Sequence, residues 1–354
     1  PLVIIKSSSG SRVSLISLKK INPIILMYFN LNIVVRRLSK MIVFLTLSLI
    51  FVGALIKSHE VGLSVPDWPK SYGKKMFSFP LSDMIGGIFY EHGHRLFATI
   101  VGFFTLLQFI IISFTNHPSW IKKVSLGSLI LVIAQGLLGG MTVLYFLPPP
   151  ISIMHGVLAQ TFFVTIIFVA YGLSESRANK AEVPYPMFIR RGAVVITLLV
   201  FVQLVLGAFM RHTSSGLAIP DFPKMGGLWI PTFSDNMIND INAELFDRNL
   251  DMVSKWQVFI HFLHRLGAFI ITLALAVFVY KFRNMVKKNS TESKALILLS
   301  AILAIQIFLG VATVMTERLP YVASFHVVTG AALLGCCSLF VMITQSNKLK
   351  DFNF

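Results

Sequence analysis

Four histidines in this 354-residue chain each lie where a long apolar stretch begins, a position at which an ionisable side chain is costly and is a candidate for function. They are His94, His155, His264 and His326. Two imidazoles at matching depth on facing helices can supply both axial ligands of a haem iron. A bare transition metal ion fits less well, because no cysteine or carboxylate cluster recurs with these histidines. The spacing therefore predicts two bis-histidine sites, His94 with His155 and His264 with His326, and the alternative for any single histidine is a side chain that reaches the lipid headgroups.

Arginines directly follow two of these histidines. Arg95 follows His94, and Arg265 follows His264. Because arginine pairs with a carboxylate through two parallel hydrogen bonds, both arginines are candidates for binding haem propionates. The alternative is an interfacial charge that reaches lipid phosphate.

One carboxylate distinguishes the first set of histidines from the second. Glu91 precedes His94 by three residues and shares its helical face, whereas the equivalent residue before His264 is His261. A carboxylate in one half only predicts chemistry there, with electron storage or a structural role in the other half. The alternative for Glu91 is an acid in the first helical turn, favoured by the helix dipole. His261 and His212 are candidates for side chains that support a haem ligand.

The histidines come in two sets because the chain repeats itself. Three segments of the first half return in the second: "GLSVPDWPK" (62–70) as "GLAIPDFPK" (216–224), "EHGHRL" (91–96) as "HFLHRL" (261–266), and "AQGLLGGMTV" (134–143) as "IQIFLGVATV" (305–314). We expect the proline-rich segments to form rigid turns that roof the haem sites.

Membrane-spanning helices must position these residues. The sequence is 55% hydrophobic and 13% charged, with a mean hydropathy of +0.76, which is typical of a polytopic membrane protein. The net charge of +16 does not indicate nucleic-acid binding, because the basic residues lie in short loops between apolar runs. Four spans per repeat predict an all-α polytopic fold of two tandem pseudo-symmetric four-helix bundles. The eight predicted spans are 38–57, 93–115, 122–147, 151–173, 190–210, 258–280, 294–315 and 322–344.

The same pattern predicts the domains and the orientation. The parts are an N-terminal extension or targeting-like segment (1–36), a first bundle (37–175), an inner linker (176–189), a second bundle (190–345) and a tail (346–354). One set of loops holds 16 Lys or Arg in 56 residues, and the opposite set holds nine in 94. The positive-inside rule then puts both termini inside and the histidines near the outer face.

Taken together, these motifs resemble haem A synthase, the membrane enzyme that oxidises the C8 methyl of haem O to a formyl group for terminal oxidase assembly. The resemblance covers roughly residues 40–345. It rests on Glu-x-x-His-Arg at 91–95, His-Arg at 264–265, the histidines at 155 and 326, and the repeated Gly-Leu-x-x-Pro-Asp loops.

The resemblance implies the role of each site residue. His94 and His155 would hold the substrate haem O, with Glu91 as the catalytic residue beside it, and His264 and His326 would hold a haem b cofactor. The implied partners are haem O synthase, an electron donor and the lipid bilayer, but no nucleic acid, and a homo-oligomer is left open. Many bacterial relatives have a cysteine before the Pro-Asp motif, where this chain has valine and isoleucine.

Two other functions remain open at this point. A dihaem b-type electron carrier or quinol oxidoreductase would use the same histidines, and Glu91 would then be incidental. A transporter fits less well, because the polar groups cluster near one membrane face rather than at the midplane. The short loops and the undistinguished N-terminal segment favour a bacterial cell membrane over the mitochondrial inner membrane.

Overall fold

The chain is an all-helical polytopic membrane protein, as predicted from its apolar stretches. The computed structural model describes residues 2–6, 13–17, 23–178 and 185–345. Within these residues, eight helices are long and apolar enough to cross a membrane. They are α1 (Pro23–Ser58), α2 (Gly87–Phe114), α3 (Ser119–Leu144), α4 (Pro149–Gly172), α6 (Met187–His212), α8 (Lys255–Arg283), α9 (Thr291–Met315) and α10 (Pro320–Thr344).

Shorter elements complete the described chain. Two antiparallel hairpins are formed by β1 (Leu2–Lys6) with β2 (Val13–Ser17) and by β3 (Lys70–Ser71) with β4 (Lys74–Lys75). The sequence did not predict helix α7 (Asp235–Asp247), which lies in the long loop before α8, or the single turn α5 (Glu175–Ala178).

Local sequence explains where several helices begin. Pro149 and Pro320 occupy the first turns of α4 and α10, where a missing backbone N–H costs nothing. Ser254 and Gln257 form a reciprocal capping box at the start of α8. Inside the apolar helices, hydroxyl groups bond to the carbonyl four residues earlier, as in Ser39 with the Val35 carbonyl, so they are not left unsatisfied away from water.

The observed start of α2 corrects the predicted span and one interpretation of Glu91. Helix α2 begins at Gly87, six residues before the predicted span, so Glu91 lies in its second turn. The alternative that Glu91 is a first-turn acid is therefore wrong. Helix α1 extends on both sides of residue 36, and the division of the chain into domains stays a prediction. The predicted tail and residues 179–184 of the predicted linker lie outside the described residues.

The long helices pack in two connected groups. In the first half α1 contacts α2 and α4, and α3 contacts α2 and α4. In the second half α6 contacts α8 and α10, and α9 contacts the same two helices. Contacts of α1 with α10 and of α4 with α6 and α10 join the groups. The pseudo-symmetric relation between the halves stays a prediction, and the matched contacts described below bear on it.

Candidate functional site

All the site residues predicted from the sequence line one large cavity. Its volume is about 2130 Å³, roughly twice the upper end of the range for small-molecule sites. Both halves of the chain line it. The predicted residues in its wall are Glu91, His94, Arg95, His155, His212, His261, His264, Arg265 and His326.

Each of the four histidine rings lies against a glycine on the long helix that precedes its own. A methyl group added at any of these glycines would lie only 3.0–3.2 Å from the Cε1 atom of the ring. The pairs are Gly53 with His94, Gly139 with His155, Gly207 with His264, and Gly310 with His326. Because any side chain at these positions would displace the imidazole, the glycines determine how close each ring lies to the neighbouring helix.

The geometry of the histidines fits ligation of haem iron. An imidazole nitrogen lies about 2 Å from a first-row metal ion, and the ring centre about 1 Å further, so two rings on opposite sides of one ion have centres about 6 Å apart. The ring centres of His264 and His326 are 6.5 Å apart. The Nδ1 atoms of His94, His155 and His326 are buried without a hydrogen-bond partner among the described residues, so they have unused bonding capacity.

His264 and His326 lie together as a pair, without the further ligands that a bare ion would need among the described residues. Among the described residues, no three His, Cys, Asp or Glu side chains come together as metal ligands. A haem iron needs only two axial ligands from the protein, because its porphyrin supplies the other four. The arrangement is therefore compatible with haem.

Glutamines contact three of the four rings, a feature that the sequence analysis missed. The Nε2 atom of Gln203 lies 3.1 Å from Nδ1 of His264 and donates to the His264 carbonyl at 2.8 Å. Gln135 contacts the Nε2 atom of His155 at 3.3 Å, and Gln306 contacts that of His326 at 3.4 Å. Each glutamine precedes a ring-contacting glycine by four residues, so a Gln-x-x-x-Gly spacing was the signal available in the sequence.

Arg95 holds the first roof loop, which we define as residues 62–75. Its guanidinium donates to the carbonyls of Val65, Asp67 and Lys70 at 2.8, 2.7 and 3.1 Å. It also pairs with Glu91 Oε1 at 2.6 Å, while Glu91 Oε2 accepts from the Val65 N–H at 2.9 Å. Four donor contacts are thus already made to the protein, which favours a role in holding the loop over direct pairing with a propionate.

The second roof loop, residues 216–228, is held in the same way. Arg265 donates to the carbonyls of Ile219, Asp221 and Lys224 at 2.9, 2.8 and 3.1 Å. His261 replaces the carboxylate: the Ile219 N–H points at its Nδ1 at 3.1 Å and the Arg265 Nε at its Nε2 at 3.2 Å. A neutral imidazole accepts at only one nitrogen, so His261 satisfies one of these donors at a time, whereas Glu91 accepts both of its own.

An aspartate in each Pro-Asp motif closes the turn of its roof loop. Asp67 accepts from the backbone N–H groups of Tyr72 and Gly73 at 2.7 and 2.8 Å, and Asp221 accepts from the next two glycines of its loop at 2.7 and 2.9 Å. Burial raises the pKa of Asp67, but the Gly73 and Tyr72 N–H groups and the nearby Arg95 charge outweigh this effect and lower the pKa below its ordinary value of 3.8.

The aromatic residue of the roof loop is larger in the first half than in the second, and the residue at the matching position of the neighbouring helix is smaller. Trp68 lies on Gly140 of α3, where a methyl group would come within 2.5 Å of the indole ring. The equivalent residues in the second half are Phe222 and Val311, and all four line the cavity. The sequence predicted that the loops roof the sites, and Trp68 and Phe222 reach the cavity wall.

Two of the remaining histidines have different surroundings. His212 lies at the end of α6 and lines the cavity, but no hydrogen bond to its ring is present among the described contacts. His92 is buried; its Nδ1 atom lies 2.9 Å from Ser71 Oγ, and its ring packs on Phe79. His92 therefore helps to hold the first roof loop.

Arg211 is a second feature that the sequence analysis missed. It lies in the cavity wall at the end of α6, and one of its terminal nitrogens donates to the Ala54 carbonyl and to Ser58 Oγ at 2.6 and 2.7 Å. Ser58 Oγ in turn lies 2.9 Å from Ser324 Oγ. Arg211 thus joins the second half to α1 of the first half. Its position next to His212 at a helix end resembles many interfacial arginines, so the sequence alone did not distinguish it.

The fold and the site define a class: a polytopic helical membrane protein with four histidines in the wall of one large cavity. A family model described as "Cytochrome oxidase assembly protein" (COX15-CtaA) matches residues 36–338. The chain belongs to this family.

Individual relatives agree with the family match. The chain is 27% identical over 339 residues to a protein named "Heme A synthase" from Rickettsia bellii, covering 83% of this chain and 95% of that protein. It is 23% identical over 304 residues to the "Heme A synthase" of Halalkalibacterium halodurans, covering 84% of this chain and 92% of that protein. A third, from Shewanella oneidensis, is 27% identical over 314 residues, covering 82% and 90%. The resemblance predicted from the motifs is confirmed.

Proposed function

We propose that this protein oxidises the C8 methyl group of haem O to a formyl group, giving haem A for terminal oxidase assembly. The observation that carries the proposal is the carboxylate of Glu91, which lies in the cavity wall one helical turn from His94, at the position where the second half has His261. The names of the relatives support the same reaction.

The histidines hold the two haems in this proposal. His94 and His155 bind the iron of the substrate, haem O, and His264 and His326 bind a haem b cofactor. The 6.5 Å separation of the second pair and the buried free Nδ1 atoms support these assignments. When bound, the haem b would supply one-electron transfer, which protein side chains do not provide on their own.

Glu91 handles protons in the first half. Conversion of a methyl group to a formyl group is a four-electron oxidation. With water as the oxygen source it is R–CH3 + H2O → R–CHO + 4 H+ + 4 e−, so that the electrons leave to a separate carrier and the protons need an acceptor near the substrate. With dioxygen as both oxidant and oxygen source the net reaction is R–CH3 + O2 → R–CHO + H2O. A carboxylate within reach of the reacting group can serve as that acceptor. The contact of Glu91 with Arg95 keeps the carboxylate oriented towards the cavity wall beside His94.

Arg211 is a carboxylate partner for a haem in this cavity. Its hydrogen bonds to Ala54 and Ser58 use only one of its two terminal nitrogens. A guanidinium with donors left over binds the carboxylate of a propionate well. Arg95 and Arg265 remain the propionate partners predicted from the sequence, but the carbonyls that each already binds favour Arg211.

The proposal includes the membrane, the orientation and the partners of the protein. The protein lies in a bacterial cell membrane, with both termini inside and the haem sites near the outer face. It receives haem O from haem O synthase and passes electrons to or from a separate carrier.

Expression with a source of haem O, followed by extraction of the haems, tests the function. The parent protein should yield haem A or its hydroxymethyl precursor, and Glu91→Gln should reduce that yield by about a hundredfold or more. The matched control is Glu91→His, which copies the arrangement of His261 in the second half. It should keep the first roof loop in place and, because an imidazole can also accept a proton, form more haem A than Glu91→Gln does. Retained haem A formation in Glu91→Gln, whose amide accepts no proton, would contradict the catalytic role.

The ligand assignments have their own test. His264→Ala and His326→Ala should each remove the low-spin haem b spectrum of the purified protein. Retention of that spectrum in either variant would refute the pairing.

A second candidate function is a dihaem electron carrier without oxygenation. The observation in its favour is that both Glu91 oxygens bind loop or arginine donors, a structural role that His261 also fills. An unchanged haem profile with a reversible b-type spectrum in the expression experiment would support the carrier instead.

A further inference from the structure

The helices that face the four histidines carry a common spacing with one exception. Gln135 precedes Gly139 by four residues, and the same Gln-x-x-x-Gly spacing occurs at 203–207 and 306–310. In α1 the glycine is present at position 53, but the residue four positions earlier is Leu49. Of the four rings, His94 alone has no glutamine from this spacing, and no hydrogen bond to its ring is present among the described residues, whereas glutamines contact the other three rings.

The glutamine amide can hydrogen-bond to an imidazole nitrogen whether or not that nitrogen carries a proton. Its NH₂ end donates to an unprotonated ring nitrogen, and its carbonyl end accepts from a protonated one. A histidine whose second nitrogen is paired keeps its orientation when the first nitrogen binds a metal, and loss of such a partner typically lowers metal affinity 10–100-fold. Leucine at position 49 can do neither, so among the described residues only packing holds the ring of His94.

The second half also has space built for its glutamine. Gly267 lies one turn after His264, and a methyl group there would overlap the Gln203 side-chain oxygen. The equivalent residue after His94 is Phe97. Thus Gln203 and Gly267 form a matched pair in one half, and Leu49 and Phe97 replace both members in the other.

We propose that the Gln203–Gly267 pair in the second half, and its replacement by Leu49 and Phe97 in the first, give the two haem sites different rates of haem exchange. Gln203 is a positioning residue that keeps His264 oriented, so the second site retains its haem. His94 lacks such a residue, so the first site releases its haem readily. The inference rests on the proposed function, in which the first site takes a substrate that must leave as product while the second site keeps a cofactor.

Haem transfer to an excess of apomyoglobin measures the exchange. The protein is loaded with ferric haem b, and each site is measured alone, the second site in a His155→Ala background and the first in a His326→Ala background. Gln203→Leu should speed haem loss from the second site by about 10–100-fold. Gly267→Ala should shift the rate in the same direction, because it displaces the amide without removing it. An unchanged rate in both variants would overturn the proposal.

The reciprocal change tests the first site. Leu49→Gln combined with Phe97→Gly introduces the pair of the second half and should slow haem loss by about 10–100-fold. Leu49→Met with Phe97→Gly is the matched control, since it supplies a flexible side chain without an amide and should leave the rate near that of the parent. Equal rates for the glutamine and methionine variants would overturn the proposal. These rates are read without turnover, so a failure to form haem A would refute the proposed function and leave this comparison valid.

Discussion

Replacing Arg95 with leucine tests how strongly the first roof loop is held. The side chains of Arg95 and Glu91 are only 10% and 6% exposed, so Arg95→Leu leaves a carboxylate without its counter-ion in a site that water barely reaches. Removal of one partner of such a pair typically costs about 3–5 kcal/mol. Since about 1.4 kcal/mol is a factor of ten, opening of the loop should become about a hundred- to a few-thousandfold easier.

Arg265→Leu is the internal control, because the second roof loop is held by the same three carbonyl contacts. The loss of those contacts is common to both variants and cancels in the comparison. What differs is the group left behind, which is a carboxylate in the first half and a neutral imidazole, His261, in the second. Loss of hydrogen bonds without a stranded charge costs about 1–3 kcal/mol. The two variants should therefore differ by about 2 kcal/mol, or about 30-fold in loop opening.

Amide hydrogen exchange in detergent measures this opening at two matched reporters. The Val65 N–H bonds to Glu91 Oε2, and the Ile219 N–H points at His261 Nδ1. Exchange at Val65 should accelerate more in Arg95→Leu than exchange at Ile219 does in Arg265→Leu. Addition of Glu91→Gln to Arg95→Leu should recover much of the lost protection, because no charge is then stranded. Equal acceleration in the two loops, or no recovery in the double variant, would refute the reasoning.

Three further outcomes are expected. Gly139→Ala should reduce haem binding in the first half, because its methyl group would lie 3.0 Å from the ring of His155. The control is Gly127→Ala on the same helix, whose methyl group meets no atom within 4 Å and should leave the absorption spectrum unchanged. The pKa of Asp67 is lowered below 3.8, so its carboxylate stabilises the turn above that pH and loses this effect as the pH falls further. Protection of the Gly73 amide against hydrogen exchange, corrected for intrinsic exchange, should therefore drop below about pH 3.8 in the parent. Asp67→Asn should show no such step. Arg211→Gln should weaken haem binding about tenfold if its free donors meet a propionate, and an unchanged affinity in a titration with haem b would exclude that contact.

The positions of the membrane helices could be predicted from the sequence because crossing a membrane requires only a run of apolar residues of sufficient length. A span needs about 20 apolar residues, and the eight runs met that requirement independently of how they pack. The start of α2 was misplaced because Gly87 to His92 mixes apolar, aromatic and charged residues, so composition did not mark the point at which helical hydrogen bonding begins. The repeat then brought out the four histidines, since identical residues at matching offsets are visible without any structure.

The partners of Arg95 were not readable from the sequence for a physical reason. It binds backbone carbonyls at positions 65, 67 and 70, and every residue type carries the same carbonyl group. Nothing in the sequence therefore marks an acceptor, and a propionate appeared the better partner for a guanidinium. Gln203 was missed for a related reason: its spacing from Gly207 is visible, but which ring faces that side of α6 depends on helix packing.

The attachment of each roof loop also has a mechanical consequence. Arg95 is the residue directly after His94, and Arg265 is the residue directly after His264. In each half, the same helical turn thus carries both a histidine that we propose as a haem ligand and the arginine that anchors the roof loop. A tilt or rotation of α2 large enough to withdraw its imidazole would drag the covering segment along. Movement of the His94 ring and movement of the first roof loop are therefore mechanically coupled.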